Sequence, residues 1–168
     1  MPGAANDSFD LQRFLDAQAP VWPRVDAELA AGAKASHWMW FVFPQLAGLG
    51  RSALARHYGI RSCAEAQAYW QHPLLGPRLR ACCERLLAID GRSARQILGT
   101  PDDLKLRSSM TLFALVVADE PVFERVLRKY FSGQRDPVTI ERLGANAPLT
   151  PRTPLPVAAP TTAAKPGT

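Results

Sequence analysis

The chain has 168 residues, 20 Lys+Arg against 15 Asp+Glu, a formal net charge of +5 and 47% hydrophobic residues. That length and apolar fraction suit one packed domain. No run of about 18 uncharged apolar residues occurs, so a membrane-spanning helix is not expected. The N-terminal Met1-Pro2-Gly3-Ala4-Ala5-Asn6-Asp7 has neither a cationic start nor an apolar stretch, so no signal peptide is expected. Cys63, Cys82 and Cys83 show no disulfide or metal spacing. A soluble, reduced, cytoplasmic protein is the expectation.

The charge is not a nucleic-acid signature. The last 24 residues contribute +2 through Arg152 and Lys165, and the remaining basic residues, Arg at 16 of 20 positions overall, stand singly along the chain. A nucleic-acid surface gathers its cations and interleaves aromatics, so nucleic acid is not an expected partner.

Taken in chain order, 8–144 reads as short helices. Leu11, Phe14 and Leu15 share a face in a first helix beginning near Asp10, and Val25 and Leu29 mark a second from Val21 to Ala31, with Gly32 near its end. Ser36 to Phe43 is an apolar run that periodicity alone leaves open between strand and helix; helical surroundings favour a helix capped by Ser36 and ended by Pro44. Ser52 is placed to cap Ala53–Tyr58, with Gly59 as a left-handed C-cap. Ser62 stands three residues ahead of Glu65, the capping-box spacing. Pro73 to Ile89 carries Leu75, Leu79, Cys82, Cys83, Leu86 and Leu87 on one stripe. Ser93 caps a short turn, Ala94–Leu98.

Thr100-Pro101-Asp102-Asp103 reads as a cap residue, a proline at the first helical position and two acids in the first turn of a helix running to about Ala118. Pro121 to Phe131, closed by Gly133, and a helix opened by Asp136-Pro137 and stopped at Gly144 complete the series. From Ala145 the composition turns to Pro, Thr and Ala, with six of the 15 prolines. Such a tail buries too little to offset its chain entropy and is expected to be disordered, as are residues 1–7. The expected fold is all-α, a single domain over 8–144 of about eight or nine short helices around a buried central helix.

Two segments depart from a plain helical pattern. In Ser36-His37-Trp38-Met39-Trp40-Phe41-Val42-Phe43-Pro44-Gln45, six consecutive apolar residues, four of them aromatic, sit between polar ends. They read as the aromatic centre of the core, or as a pocket wall of Trp38 or Trp40 with His37 and Gln45 at its mouth. In Lys105-Leu106-Arg107-Ser108-Ser109-Met110-Thr111, helical spacing puts Lys105, Ser108 and Ser109 on one face and Arg107 and Thr111 on an adjacent one. These polar groups either bond back to the preceding turn or face a cleft suited to an oxygen-rich anion. Other chemistry is sparse. His37, His57 and His72 lack zinc spacing, and Cys82-Cys83 read as small core residues. His37 is the best candidate for a general base, and a Lys105/Ser108 pair is the minimum of an activated hydroxyl.

The stretch 36–45 with Gly48-Leu49-Gly50, then Tyr58-Gly59-Ile60, His72-Pro73-Leu74-Leu75-Gly76-Pro77-Arg78-Leu79 and Asp102–Phe113, resembles the bacterial DUF1810 family over about residues 8–144. The resemblance implies a compact all-helical domain with a distant likeness to helical-repeat packing, and no established function. The name calpastatin, often attached to that family, has little weight, since that inhibitor is a disordered repeat protein. The leading expectation is a helical domain binding a small anionic, nucleotide-like ligand. Trp38, Trp40 and Tyr58 would supply stacking surface, His37 and Gln45 hydrogen bonds, and Lys105, Arg107, Ser108 and Ser109 the anion contacts. The alternatives are a protein-interaction module, docking through the tail or a helical face, and a hydrolase or transferase using His37 or Lys105/Ser108. No cofactor and no metal are implied.

Overall fold

The computed structural model describes residues 7–146, and through them ten helices follow one another: α1 (Gln12–Gln18), α2 (Trp22–Ala31), α3 (Met39–Val42), α4 (Ala53–Tyr58), α5 (Cys63–Gln71), α6 (Leu75–Ala88), α7 (Ala94–Leu98), α8 (Asp102–Val116), α9 (Val122–Phe131) and α10 (Pro137–Asn146). The fold is all-α. Among the described residues, β pairing is confined to one parallel bridge between Leu46 and Ile60. The expected disordered ends, 1–7 and 145–168, lie outside the described residues apart from Asp7 and the last two positions of α10. Asp7 accepts hydrogen bonds from the backbone of Leu11 (2.6 Å) and Gln12 (2.9 Å), capping α1 from outside it. No helix among the described residues is long and apolar enough to cross a membrane.

Helix α8 is the central element, packed against α5, α7, α9 and α10. Leu106 and the run Ser109–Ala114 are buried along it, as the all-round apolar pattern of its second half predicts. A chain of rings threads the core. Phe14 of α1 meets Tyr69 of α5 edge-on at 5.0 Å, Tyr69 lies 5.6 Å from Phe113 of α8, and Phe113 stacks on Phe123 of α9 at 5.5 Å. Cys82 and Cys83 belong to this core. Burial drives both thiols upward, so neither offers a thiolate, and Cys83 Sγ rests 3.7 Å from Met110 Sδ.

Local signals held where a side chain caps its own helix. Ser52 accepts from the backbone of Ala55, Ser62 from Glu65, and Ser93 forms a reciprocal capping box with Gln96. Gly32 closes α2 in the left-handed conformation, φ 69°. Five expectations need correction. Gly59 is extended, φ −62°, because the chain leaves α4 directly into the Leu46–Ile60 bridge. Glycine is needed there for space, since a Cβ would lie 2.8 Å from Ala47 Cα and 3.1 Å from Ala55 O. Pro101, not Thr100, holds the N-cap place of α8, its carbonyl accepting from the backbone of Leu104 and Lys105. Glu65 reaches past Ser62 to the Arg61 backbone at 3.0 Å, leaving the Ser62 box half-formed. Helix α10 continues two residues past Gly144.

The fifth correction concerns Ser36, which caps nothing. Helix α3 is a single turn with Trp38 in its N-cap place, and the Ser36 hydroxyl turns back to Glu28 of α2. The Glu28 carboxylate accepts from the Ala35 backbone, from Ser36 Oγ at 2.7 Å and from Trp38 Nε1 at 2.9 Å. Trp38 is thereby fully buried with its one polar atom satisfied.

Burial raises the Glu28 carboxyl, yet the hydrogen bonds from Ser36, Trp38 and Ala35 together outweigh it and hold it below the ordinary value of 4.5. Its stabilising contribution is therefore complete above 4.5 and is lost as pH falls through the lowered folded value. Glu28→Gln turns an amide NH₂ towards donors, and is expected to cost about 2 kcal/mol at neutral pH. In urea unfolding, that deficit against wild type shrinks as the pH is taken down to about 3.

Candidate functional site

Two hollows meet beside α8. A narrow slot with a free volume of only about 10 Å³ is walled by Met39, Trp40, Phe43, Ala55, Tyr58 and Gly59, with Gln45 and Lys105 at its edge. A wider trough of about 390 Å³ continues from it between Leu49, Gly50, Pro101, Leu104, Ser108, Asp136 and Val138, and Gln45 and Lys105 line this one too. Those two residues form the neck of a single cleft.

Each wall has a traceable cause. Trp40 follows from the α2–α3 loop that Glu28 holds. Gln45 and Tyr58 face the same space because Ile60 donates to the Gln45 carbonyl at 2.9 Å and Ala47 to the Ile60 carbonyl at 2.7 Å. Behind Tyr58, the buried Arg13 guanidinium donates to the carbonyls of His57 (2.9 Å) and Gly59 (3.2 Å), to Phe9 and Asp10, and to Glu65 at 3.3 Å. The floor is held by Gln18, whose amide donates to the Phe41 carbonyl at 2.7 Å and to Tyr69 Oη at 3.0 Å. Burial in this network pushes the Tyr69 phenol well up despite the Gln18 hydrogen bond.

Lys105 is the cation of the neck. Its Nζ lies 4.8 Å over the Trp40 ring and 3.6 Å from Asp102 Oδ1. One turn on, Ser108 Oγ is 3.2 Å from the Leu104 carbonyl and 3.1 Å from Asp136 Oδ2, and Asp136 also caps α10 through the Thr139 backbone at 3.1 Å. The Gln45 amide and the Tyr58 hydroxyl have no hydrogen-bonding partner among the described residues. Both residues line the slot.

Of the residues singled out by sequence, Trp40, Gln45, Tyr58, Lys105 and Ser108 are brought together. His37 is exposed at the outer edge, its ring 6.5 Å from that of Trp40, and lines neither hollow. Trp38 is in the core. Ser109 is fully buried, and its Oγ has no partner among the described residues. Arg107 points to the other side of α8, where it donates to the carbonyls of Gln134 (3.1 Å) and Arg135 (2.8 Å). Thr111 ties the same loop, accepting from the Asp136 backbone at 2.9 Å. Sequence reasoning missed Phe43 and Asp136 as cleft residues, and Asp102 as the carboxylate beside Lys105. Asp136 had a signal, its place before Pro137 at a helix start. No cluster of three or more His, Cys, Asp or Glu side chains suited to a metal occurs among the described residues.

A family model described as a protein of unknown function, DUF1810, matches residues 8–143. The chain belongs to the DUF1810 family. The crystal structure of the conserved hypothetical protein Rv1873 from Mycobacterium tuberculosis is similar to this DUF1810 protein, at 56% identity and a TM-score of 0.81, covering 82% of this chain and 99% of the other. No curated protein matches the sequence.

The two cations beside the cleft differ in what they hold. Arg13 is 6% exposed and pairs with Glu65, so Arg13→Met strands a buried carboxylate and should cost about 3–4 kcal/mol. Lys105 pairs only at long range, and Lys105→Met should change stability by less than about 1 kcal/mol. Chemical denaturation of the two variants checks the contrast.

Proposed function

We propose that this DUF1810 protein binds a small ligand made of a flat ring and an anionic group, nucleotide-like at its most specific. The ligand occupies the trough, with its ring at the Trp40 edge of the neck, and the anion meets Lys105 there. The observation that carries the reading is the shared lining: the aromatic slot and the polar trough have Gln45 and Lys105 in common. The trough, at about 390 Å³, is within the range of about 300–1,000 Å³ usual for small-molecule sites, and the slot adds an apolar edge to it. Gln45 offers both a donor and an acceptor to a heterocycle edge. Ser108, whose proton goes to Leu104 or Asp136, offers its hydroxyl oxygen as an acceptor to the part of the ligand that leaves the neck. Trp38, Ser109 and Arg107 have no part in this reading, and His37 contributes only at the rim.

A thermal-shift panel of nucleoside monophosphates and aromatic carboxylates, each beside its uncharged counterpart, tests it. A ligand at 100 times its Kd should stabilise the wild type by about 2.7 kcal/mol. Lys105→Met should lose the preference for the charged member of each pair, and Trp40→Ala should lose both members. A panel without a stabilising compound would reject the proposal.

A further inference from the structure

Asp102, in the first turn of α8, is shared by two lysines held in different ways. Lys34 Nζ lies 2.8 Å from Asp102 Oδ2, and its side chain is 7% exposed. Its ammonium also lies 5.1 Å over the Trp38 ring, and its backbone N–H donates to the Ile97 carbonyl at 2.7 Å. It stands one residue before the Ala35 amide that Glu28 holds. Lys105 reaches the other oxygen of the same carboxylate from 3.6 Å, beyond hydrogen-bond length, with its side chain 21% exposed. Lys34 is thus a fixed partner of Asp102, and Lys105 a loose one on a flexible stem.

We infer that Lys34 and Asp102 are positioning residues that set how free Lys105 is to meet an anion. The inference rests on the anion-binding reading of the cleft. With Lys105 as its sole counter-ion, Asp102 would hold that ammonium and oppose any anion brought to it. With Lys34 already paired to Asp102, the three groups sum to one positive charge, which lies on the mobile member. An incoming anionic group then completes a neutral set, and Lys105 moves from the Asp102 side of Trp40 to the ligand without leaving a bare carboxylate behind.

Titration calorimetry with adenosine 5′-monophosphate, and with adenosine as the uncharged control, tests this on the full chain. Asp102→Asn frees Lys105 and is expected to tighten the monophosphate about three- to five-fold, the size of a part-exposed ion pair. Lys34→Met hands Lys105 back to Asp102 and should weaken the monophosphate by a similar factor. Lys34→Met/Asp102→Asn should return to the wild-type value or better, with adenosine within about two-fold throughout. A gain of affinity on removing Asp102 is an effect that a merely structural role does not produce, and Asp102→Asn decides the matter should Lys34→Met fail to fold. If Lys105→Met abolishes the preference for the monophosphate but Asp102→Asn does not tighten it, the positioning role is overturned and the binding reading stands. A wild type that binds the monophosphate no better than adenosine overturns both.

Discussion

The Glu28 carboxylate is the constraint on which the cleft depends. Helix α2 ends at Gly32, and the chain must cross to Trp38 in the core without regular structure to satisfy its polar groups. Glu28 supplies the acceptors, taking the Ala35 amide, the Ser36 hydroxyl and the Trp38 indole. With Trp38 anchored from behind, the single turn of α3 can go only one way, and Trp40 comes out beside α8. The same loop presses Lys34 onto Asp102. One buried charge on one helix thus sets both the aromatic wall and the electrostatics of the neck.

The opposite wall follows a similar rule. Irregular backbone must still satisfy its polar groups; the Leu46–Ile60 bridge satisfies some of them, and side chains from helices supply the rest. Arg13 does this for His57 and Gly59, and Gln18 for Phe41. The region rich in such contacts is the region poor in helix, where α3 and α4 have four and six residues. A hollow persists there because short elements pack less completely than the long amphipathic faces of α6 and α9 around α8. The apolar slot and its rigid walls are two results of one arrangement.

Legibility in the sequence tracks the reach of each interaction. Helices α6, α7 and α9, and the caps Ser52, Ser62 and Ser93, depend on residues within four positions, and the pattern reveals them. Arg13 with Glu65, and Gln18 with Tyr69, span 52 and 51 residues, and nothing local distinguishes these polar side chains from solvated ones. On α8 the pairing of Lys105 with Ser108 was readable from the i, i+3 spacing. Ser109 lies about 100° further round, which is enough to carry it from the cleft into the core. The run from Trp38 to Phe43 was apolar on every side, so spacing could name the aromatic wall without telling Trp38, turned inward, from Trp40, turned outward.

The choice of cation at the neck has a physical logic of its own. Lysine is rare here, four residues against 16 arginines, yet two of the four meet at Asp102. Elsewhere arginine makes most of the fixed contacts: Arg13 to five acceptors, Arg107 to two carbonyls, Arg85 to both oxygens of Asp26, with Lys129, on the Leu87 and Ile89 carbonyls, a lysine that does the same. A guanidinium at position 105 would fork onto the Asp102 carboxylate and stay there. An ammonium has no such fork. It can lie against the Trp40 face, keep a long contact with Asp102 and still turn to a third group at little cost. The acids at the start of α8 also offset the positive end of its dipole, so an anion at the neck is met by a side chain and not by the helix end. Arg13 fixes the wall behind Tyr58, and at the neck a lysine keeps only a long contact with its carboxylate.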